Sequence, residues 1–190
     1  MDREALQSLQ TQRFLYRPYC MKKIIFLDFD GVLNTEYYQN YLMSKREQWQ
    51  DGHGAFFDPE AVQQLKRIIE ATNADIVIES SWKYLGLEAM QNMWKERNLP
   101  GRVIGITDSS ESDSWLLTAN LDVIDPAMGH CKGIEIAAWL SNYEIESVRY
   151  VIIDDEAVCL ESQASNFILA NPYDGITEDI ANRVIALLNR

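Results

Sequence analysis

The chain has 190 residues, 47% of them hydrophobic and 24% charged, which suits one globular domain with a full-sized core. Its formal net charge of −12 argues against a surface built for tight nonspecific nucleic-acid binding, since such binding works by neutralising phosphates. No apolar run approaches the ~18 residues of a membrane span, and the first residues lack the basic end and apolar stretch of a secretory signal, so a cytoplasmic protein with no membrane partner is expected.

In chain order, residues 1–20 read as an N-terminal extension. They carry +1 (Arg3, Arg13 and Arg17 against Asp2 and Glu4) ahead of an acidic remainder, and they are assigned no catalytic role. A domain over 21–190 follows. The run KIIFLDF predicts a buried parallel strand over 22–28 that ends in acids. Residues 35–57, rich in aromatic and polar side chains, are too short for a globular cap and read as a small flap or helical lid. Asp58-Pro59 caps and opens a helix through about Ala71, with Val62, Leu65, Ile68 and Ile69 on one face. DIVIES (75–80) is the next strand. A helix from about Leu85 to Asn98 ends at Pro100-Gly101, and RVIGI (102–106) is a third strand. The stretch 107–129 is polar and loop-like, with Trp115, Leu116 and Leu117 suited to packing down. Gly133 to Leu140 opens a helix, VRYVII (148–153) is a strand that again ends in acids, NFILA (166–170) is a fifth strand, and a last helix covers about Glu178 to Leu188. Strands alternating with helices predict an α/β fold: a Rossmann-like three-layer sandwich with a mostly parallel five-stranded sheet and helices on both faces. Ligands of such folds bind at the carboxyl ends of the strands.

Four elements carry chemistry. In FLDFDGVLN (26–34), Asp28 and Asp30 are two apart at a strand end. Extended geometry would put both on one face with Cα atoms roughly 7 Å apart, and Gly31 allows a sharp turn directly after them. VIIDDE (151–156) places Asp154 and Asp155 at a second strand end. If the two strands are neighbours the four carboxylates converge, and at an effective dielectric near 20 each close pair costs ~4 kcal/mol. Such a site calls for a divalent cation, and oxygen-only ligands favour Mg2+ over zinc. IVIESSW (76–82) ends a strand in hydroxyls, Ser80 and Ser81, either of which could donate to phosphate oxygens. In GHCKG (129–133), Lys132 stands at a helix start, where its ammonium and the helix amides could meet an anion. Three widely spaced cysteines (Cys20, Cys131, Cys159) contain no CxxC pair and indicate neither a disulfide framework nor a zinc site.

These motifs, in the order acid, hydroxyl, lysine, acid pair, resemble the haloacid-dehalogenase (HAD) superfamily of phosphohydrolases. The chain is similar to a capless branch, the HAD domain found in Swiss-army-knife RNA repair proteins, through FDPEAVQQLKRIIEATNADIVIESSW (57–82), KGIEIAAWL (132–140) and NPYDGIT (171–177). The resemblance implies a Mg2+-dependent phosphatase. It makes Asp28 the nucleophile that forms an aspartyl-phosphate and Asp30 the acid and then base. Ser80, with Ser81 as the alternative, would bind the phosphoryl group. Lys132 would hold Asp28 and phosphate together. The metal would be held by the Asp28 carboxylate, the Asp30 carbonyl and Asp154, with Asp155 helping through water. That branch usually has arginine where Lys83 stands, so a bidentate substrate-reading role at this position is not carried over. Glu79 would repel phosphate if it faced the site, and alternation relative to Ser80 is expected to place it opposite.

The bland readings are a solvated turn for Asp28 and Asp30, a helix cap for Asp154 and Asp155 and for the two serines, a surface lysine for Lys132 and a loop residue for His130. Tyr37, Tyr38, Tyr41 and Trp49 could stack a base, but are expected to pack as the lid's own small core. The open site suits a phosphorylated substrate that is either a small molecule or a nucleic-acid end. Two rivals are a receiver-like phospho-accepting domain, whose acceptor would lie on the third strand, and a catalytically silent binding domain, against which the intact Asp30 counts.

Overall fold

The computed structural model describes residues 21–108, 132–143 and 148–190. The 1–20 extension, His130, Cys20, Cys131 and nearly all of the 107–129 stretch lie outside the described residues. Five strands form one parallel sheet: β1 (Lys22–Leu27), β4 (Asp75–Ile78), β5 (Val103–Ile106), β6 (Val148–Asp154) and β7 (Phe167–Leu169), in the spatial order β5-β4-β1-β6-β7. Each coincides with a predicted strand to within two residues at either end. The helices are α1 (Glu36–Lys45), α2 (Pro59–Thr72), α3 (Leu87–Glu96), α4 (Lys132–Asn142) and α5 (Glu178–Leu188).

Side-chain alternation divides the interior into two cores. Ile25 and Leu27 of β1, with Ile76, Ile78, Val151 and Ile153, face the larger core. Leu65 and Ile68 of α2, Met90 and Met93 of α3, and Val184 and Leu188 of α5 close over it. Ile24 and Phe26, with Val77 and Ile152, face the smaller core under Ile136 and Trp139 of α4. There Phe26 meets the edge of Trp139 at 5.4 Å between ring centroids. This is the expected three-layer arrangement. Full burial of each such side chain contributes about 1.5–3 kcal/mol.

From β1 the chain steps outward through β4 to β5, then returns to the opposite side of β1 with β6 and continues to β7. The direction of winding therefore reverses between β1 and β6, the kind of switch point at whose carboxyl end ligands of such sheets bind.

Residues 35–57 form α1 and a small hairpin of β2 (Gln50–Asp51) and β3 (Gly54–Ala55). Thr35 caps α1 by accepting from the Tyr38 amide at 3.1 Å, and its hydroxyl donates to Asp58 at 2.7 Å. Asp58 in turn caps α2 through the Glu60 amide at 2.9 Å, so one hydrogen-bonded pair starts two helices. The first amides of α1 are taken up from outside: Glu36 donates to the Pro172 carbonyl at 2.9 Å and Tyr37 to that of Tyr173 at 3.2 Å. The turn 171–175 is held by Asn171, which accepts from the amides of Tyr173 and Gly175. The expectation that the aromatics form a core of their own is not met. Leu42 is the one buried residue of α1; Tyr38 is half-buried and stacked on Tyr41 at 6.4 Å, while Tyr37, Tyr41 and Trp49 are exposed, because a ten-residue helix on an open edge has only one flank to cover. No described helix is long and apolar enough to cross a membrane.

Candidate active site

Register places the acids. Leu27 pairs with Ile153 and with Ile78, so Asp28, Asp154 and Glu79 stand at one level across three strands. Ile78 pairs with Ile106, which adds Thr107 to the same row. All four follow residues of the larger core, so alternation turns them to the α4 side. There Lys132, the first residue of α4, donates to Asp28 Oδ2 at 2.6 Å and to Asp154 Oδ2 at 2.8 Å. The second oxygen of each carboxylate accepts a backbone amide, from Phe29 at 2.7 Å and from Glu156 at 2.9 Å. Asp28 and Asp154 are buried, and Asp155 is half-buried. Single carboxylate oxygens of Asp28, Asp154 and Asp155 lie within 4.8 Å of one another, a spacing that can hold a metal ion.

The charges are unbalanced. Three carboxylates face one ammonium. Burial and the neighbouring Asp28 push the Asp154 carboxyl up to about 6 against the pull of Lys132. The same two causes raise Asp155. Burial works against the charge of Lys132, but Asp28 and the hydrogen bonds to both carboxylates outweigh it and hold the ammonium above its ordinary pKa.

Asp30 lies elsewhere in this edge. Strand pairing ends at Leu27, and the Phe29 carbonyl gathers the amides of Val32, Leu33 and Asn34 into a tight turn. Asp30 is therefore set by a turn and not by extended alternation. Gly31 sits at φ 69°, and a Cβ there would run into the Asp155 carboxylate. The Asp30 carboxylate is exposed and held at both oxygens: Asn34 donates to Oδ1 at 2.8 Å, and the Trp82 indole to Oδ2 at 3.0 Å. Neither partner had been singled out in sequence. The Asp30–Asn34 spacing within the turn was the available signal, whereas nothing local marks Trp82.

Ser80 is 1% exposed, and its hydroxyl has no hydrogen-bond partner. It occupies the cap position of a 3-10 turn over Ser81–Leu85, yet makes no capping hydrogen bond. Ser81, one residue on, is exposed.

Glu79 is a correction. Alternation does place it opposite Ser80, but that is the side of Asp28. Its charge is met there by Lys83, which donates to Glu79 at 2.9 Å, to Thr107 at 2.7 Å and closely to Glu135 of α4. Thr107 also donates to Glu79. Lys83 is thus tied to buried acids and does not project as a substrate reader. One ammonium between two buried carboxylates leaves one negative charge over, and burial pushes the Glu79 carboxyl up to about 8.

Against known families, a family model described as the HAD domain in Swiss Army Knife RNA repair proteins matches residues 24–181. The curated proteins and the solved structures give no significant match.

Proposed function

The chain belongs to the HAD-domain family of Swiss Army Knife RNA repair proteins, and on that premise we propose that it is a Mg2+-dependent phosphomonoesterase working through a phosphorylated Asp28. The observation that carries this reading is the level pairing of Asp28 with Asp154 under Lys132.

The residues fit the cation. Asp28, Asp154 and Asp155 are all oxygen donors, as magnesium requires. With Lys132 as their only close cation among the described residues, they leave two negative charges over, the charge that one divalent ion carries. The Asp30 carbonyl is proposed as a further ligand. When bound, the ion neutralises charge on the phosphoryl oxygens and the nucleophile.

The Asp28 carboxylate attacks phosphorus, and the bond from phosphorus to the leaving oxygen breaks. Asp30 gives that oxygen its proton. In the second half, Asp30 takes a proton from water, the water oxygen attacks phosphorus, and the Asp28–phosphorus bond breaks to release inorganic phosphate. The clamp of Asn34 and Trp82 keeps Asp30 on one bearing for both transfers. Lys132 holds Asp28 in line and offsets phosphoryl charge. Ser80 is proposed, ahead of the exposed Ser81, to donate to a phosphoryl oxygen: its buried hydroxyl has no other partner, and the donation requires it to turn from its present side of β4 toward Asp28. Preorganised charge supplies most of the acceleration.

The test is phosphate release from a generic aryl phosphate with and without Mg2+. Turnover that needs the cation and falls at least ~10³-fold in Asp28→Asn is expected. Undiminished turnover in that variant, or in EDTA, defeats the proposal. Stable phosphorylation of Asp28 without turnover would mark a receiver-like domain instead.

A further inference from the structure

We propose that Lys83 is a positioning residue: by saturating Glu79 and Glu135 it keeps the third N–H of Lys132 free for the phosphoryl group. This deepens the phosphatase reading and rests on it.

A lysine ammonium has three N–H donors and no acceptor. Those of Lys83 have three partners: Glu79 at 2.9 Å, Thr107 at 2.7 Å and Glu135. Lys132 uses two of its own, on Asp28 at 2.6 Å and on Asp154 at 2.8 Å, and no third acceptor meets it among the described residues. Its side chain is 23% exposed, so the spare donor lies within reach of a substrate.

The two ammonium groups share one neighbourhood. Glu79 follows Ile78, which pairs with Leu27, so it stands one strand from Asp28, about 4.8 Å across the sheet. Glu135 lies three residues beyond Lys132 on α4, roughly 4.5 Å along the axis and on the same flank of the helix. Lys132 thus has the two acids it serves on one side and two that it does not serve on the other. Its charge already acts on Glu79.

Glu79 and Glu135 are both buried, so neither can turn to water for a donor, and a buried acceptor left without one is costly. Lys83 meets that need from the 3-10 turn that leaves β4, four residues after Glu79. Without Lys83, the spare N–H at hand is that of Lys132. Its capture by either acid would draw the ammonium from the phosphoryl position and from its line with Asp28.

The test compares Lys83→Met with the triple variant Lys83→Met/Glu79→Gln/Glu135→Gln, on the full chain with Mg2+. Three quantities are read: kcat/KM on an aryl phosphate per folded molecule, the affinity for inorganic phosphate by calorimetry, and stability by chemical denaturation. Lys83→Met is expected to lower kcat/KM and phosphate affinity about 10- to 100-fold, the size of one hydrogen bond to a charged group. The triple variant lacks the same ammonium but also the competing carboxylates, and it is expected to recover most of both losses. A purely structural lysine would change stability alone. Wild-type kcat/KM in Lys83→Met, or a folded triple variant no better than Lys83→Met, overturns the proposal. If Lys83→Met does not fold, the triple variant decides alone: turnover near that of the wild type supports the proposal, and a loss of about tenfold or more overturns it. In all of these outcomes turnover by the wild type keeps the phosphatase reading intact, whereas a wild type without turnover removes both.

Discussion

The indole of Trp82 meets the edge of Phe29 at 5.6 Å and turns its N–H to Asp30. Its other flank is closed by Gly54 of the hairpin, where a Cβ would come within 2.7 Å of the ring. Packing therefore fixes the ring, and the ring fixes one oxygen of the carboxylate. Trp82→Phe keeps most of the packing and loses the hydrogen bond. It is expected to lower kcat about 5- to 10-fold, the cost of one hydrogen bond to a charged group. A purely structural role would lower stability and leave kcat per folded molecule in place. The places of Asp28, Asp154 and Lys132 were legible in sequence, since each lies at the end of a strand or the start of a helix; that of Asp30 was not, because a turn sets it. The holders of Asp30 were not, because the contact between positions 30 and 82 exists only after β1 and β4 have paired.

Among elements, the turn after β1 is the least tolerant. Gly31 combines a positive φ with contact against Asp155. Gly31→Ala is expected to destabilise the fold by about 1–3 kcal/mol and to displace Asp155, with chemical denaturation as the measurement. On the far side of the sheet, Leu65 of α2 is fully buried in the larger core. Leu65→Ala should cost about 2–5 kcal/mol while leaving aryl-phosphate turnover per folded molecule unchanged. Elements with a clear period were legible: α2 follows its predicted face, and α2 and α5 keep their predicted ends within a residue or two. The insertion was read only as a flap or short helix. Its aromatics resemble a small core in composition, but exposure follows from how little surface lies beneath them, and a sequence does not record that.

Over the whole molecule, four neighbouring strands end in one polar row, from Asp154 through Asp28 and Glu79 to Thr107. Half of the row meets Lys132 and half meets Lys83. The Lys83 half makes stability depend on pH. Glu79 titrates near 8 in the fold against 4.5 as a free side chain. Between those values the unfolded chain has released a proton that the folded chain retains, so stability falls as pH rises across this window, by up to about 1.4 kcal/mol per pH unit. Glu79→Gln removes that slope. Denaturation at pH 5, 6 and 7 should show the variant gaining on the wild type as pH rises, and a constant difference would refute the assignment. The parallel sheet itself was legible from alternating strands and helices. The row was not, because it needs the strand order and register as well as the strands.

The anchoring of α1 by the carbonyls of Pro172 and Tyr173 bears on how the molecule is made. A helix that opens at Glu36 is seated by a turn synthesised after every strand of the sheet, and Asp28 likewise waits for β6. On the ribosome, the amino-terminal half emerges with its acidic edge unclosed, and no ordering of local folding events can complete that edge first. The seating of α1 has to wait until residue 173 has cleared the exit tunnel.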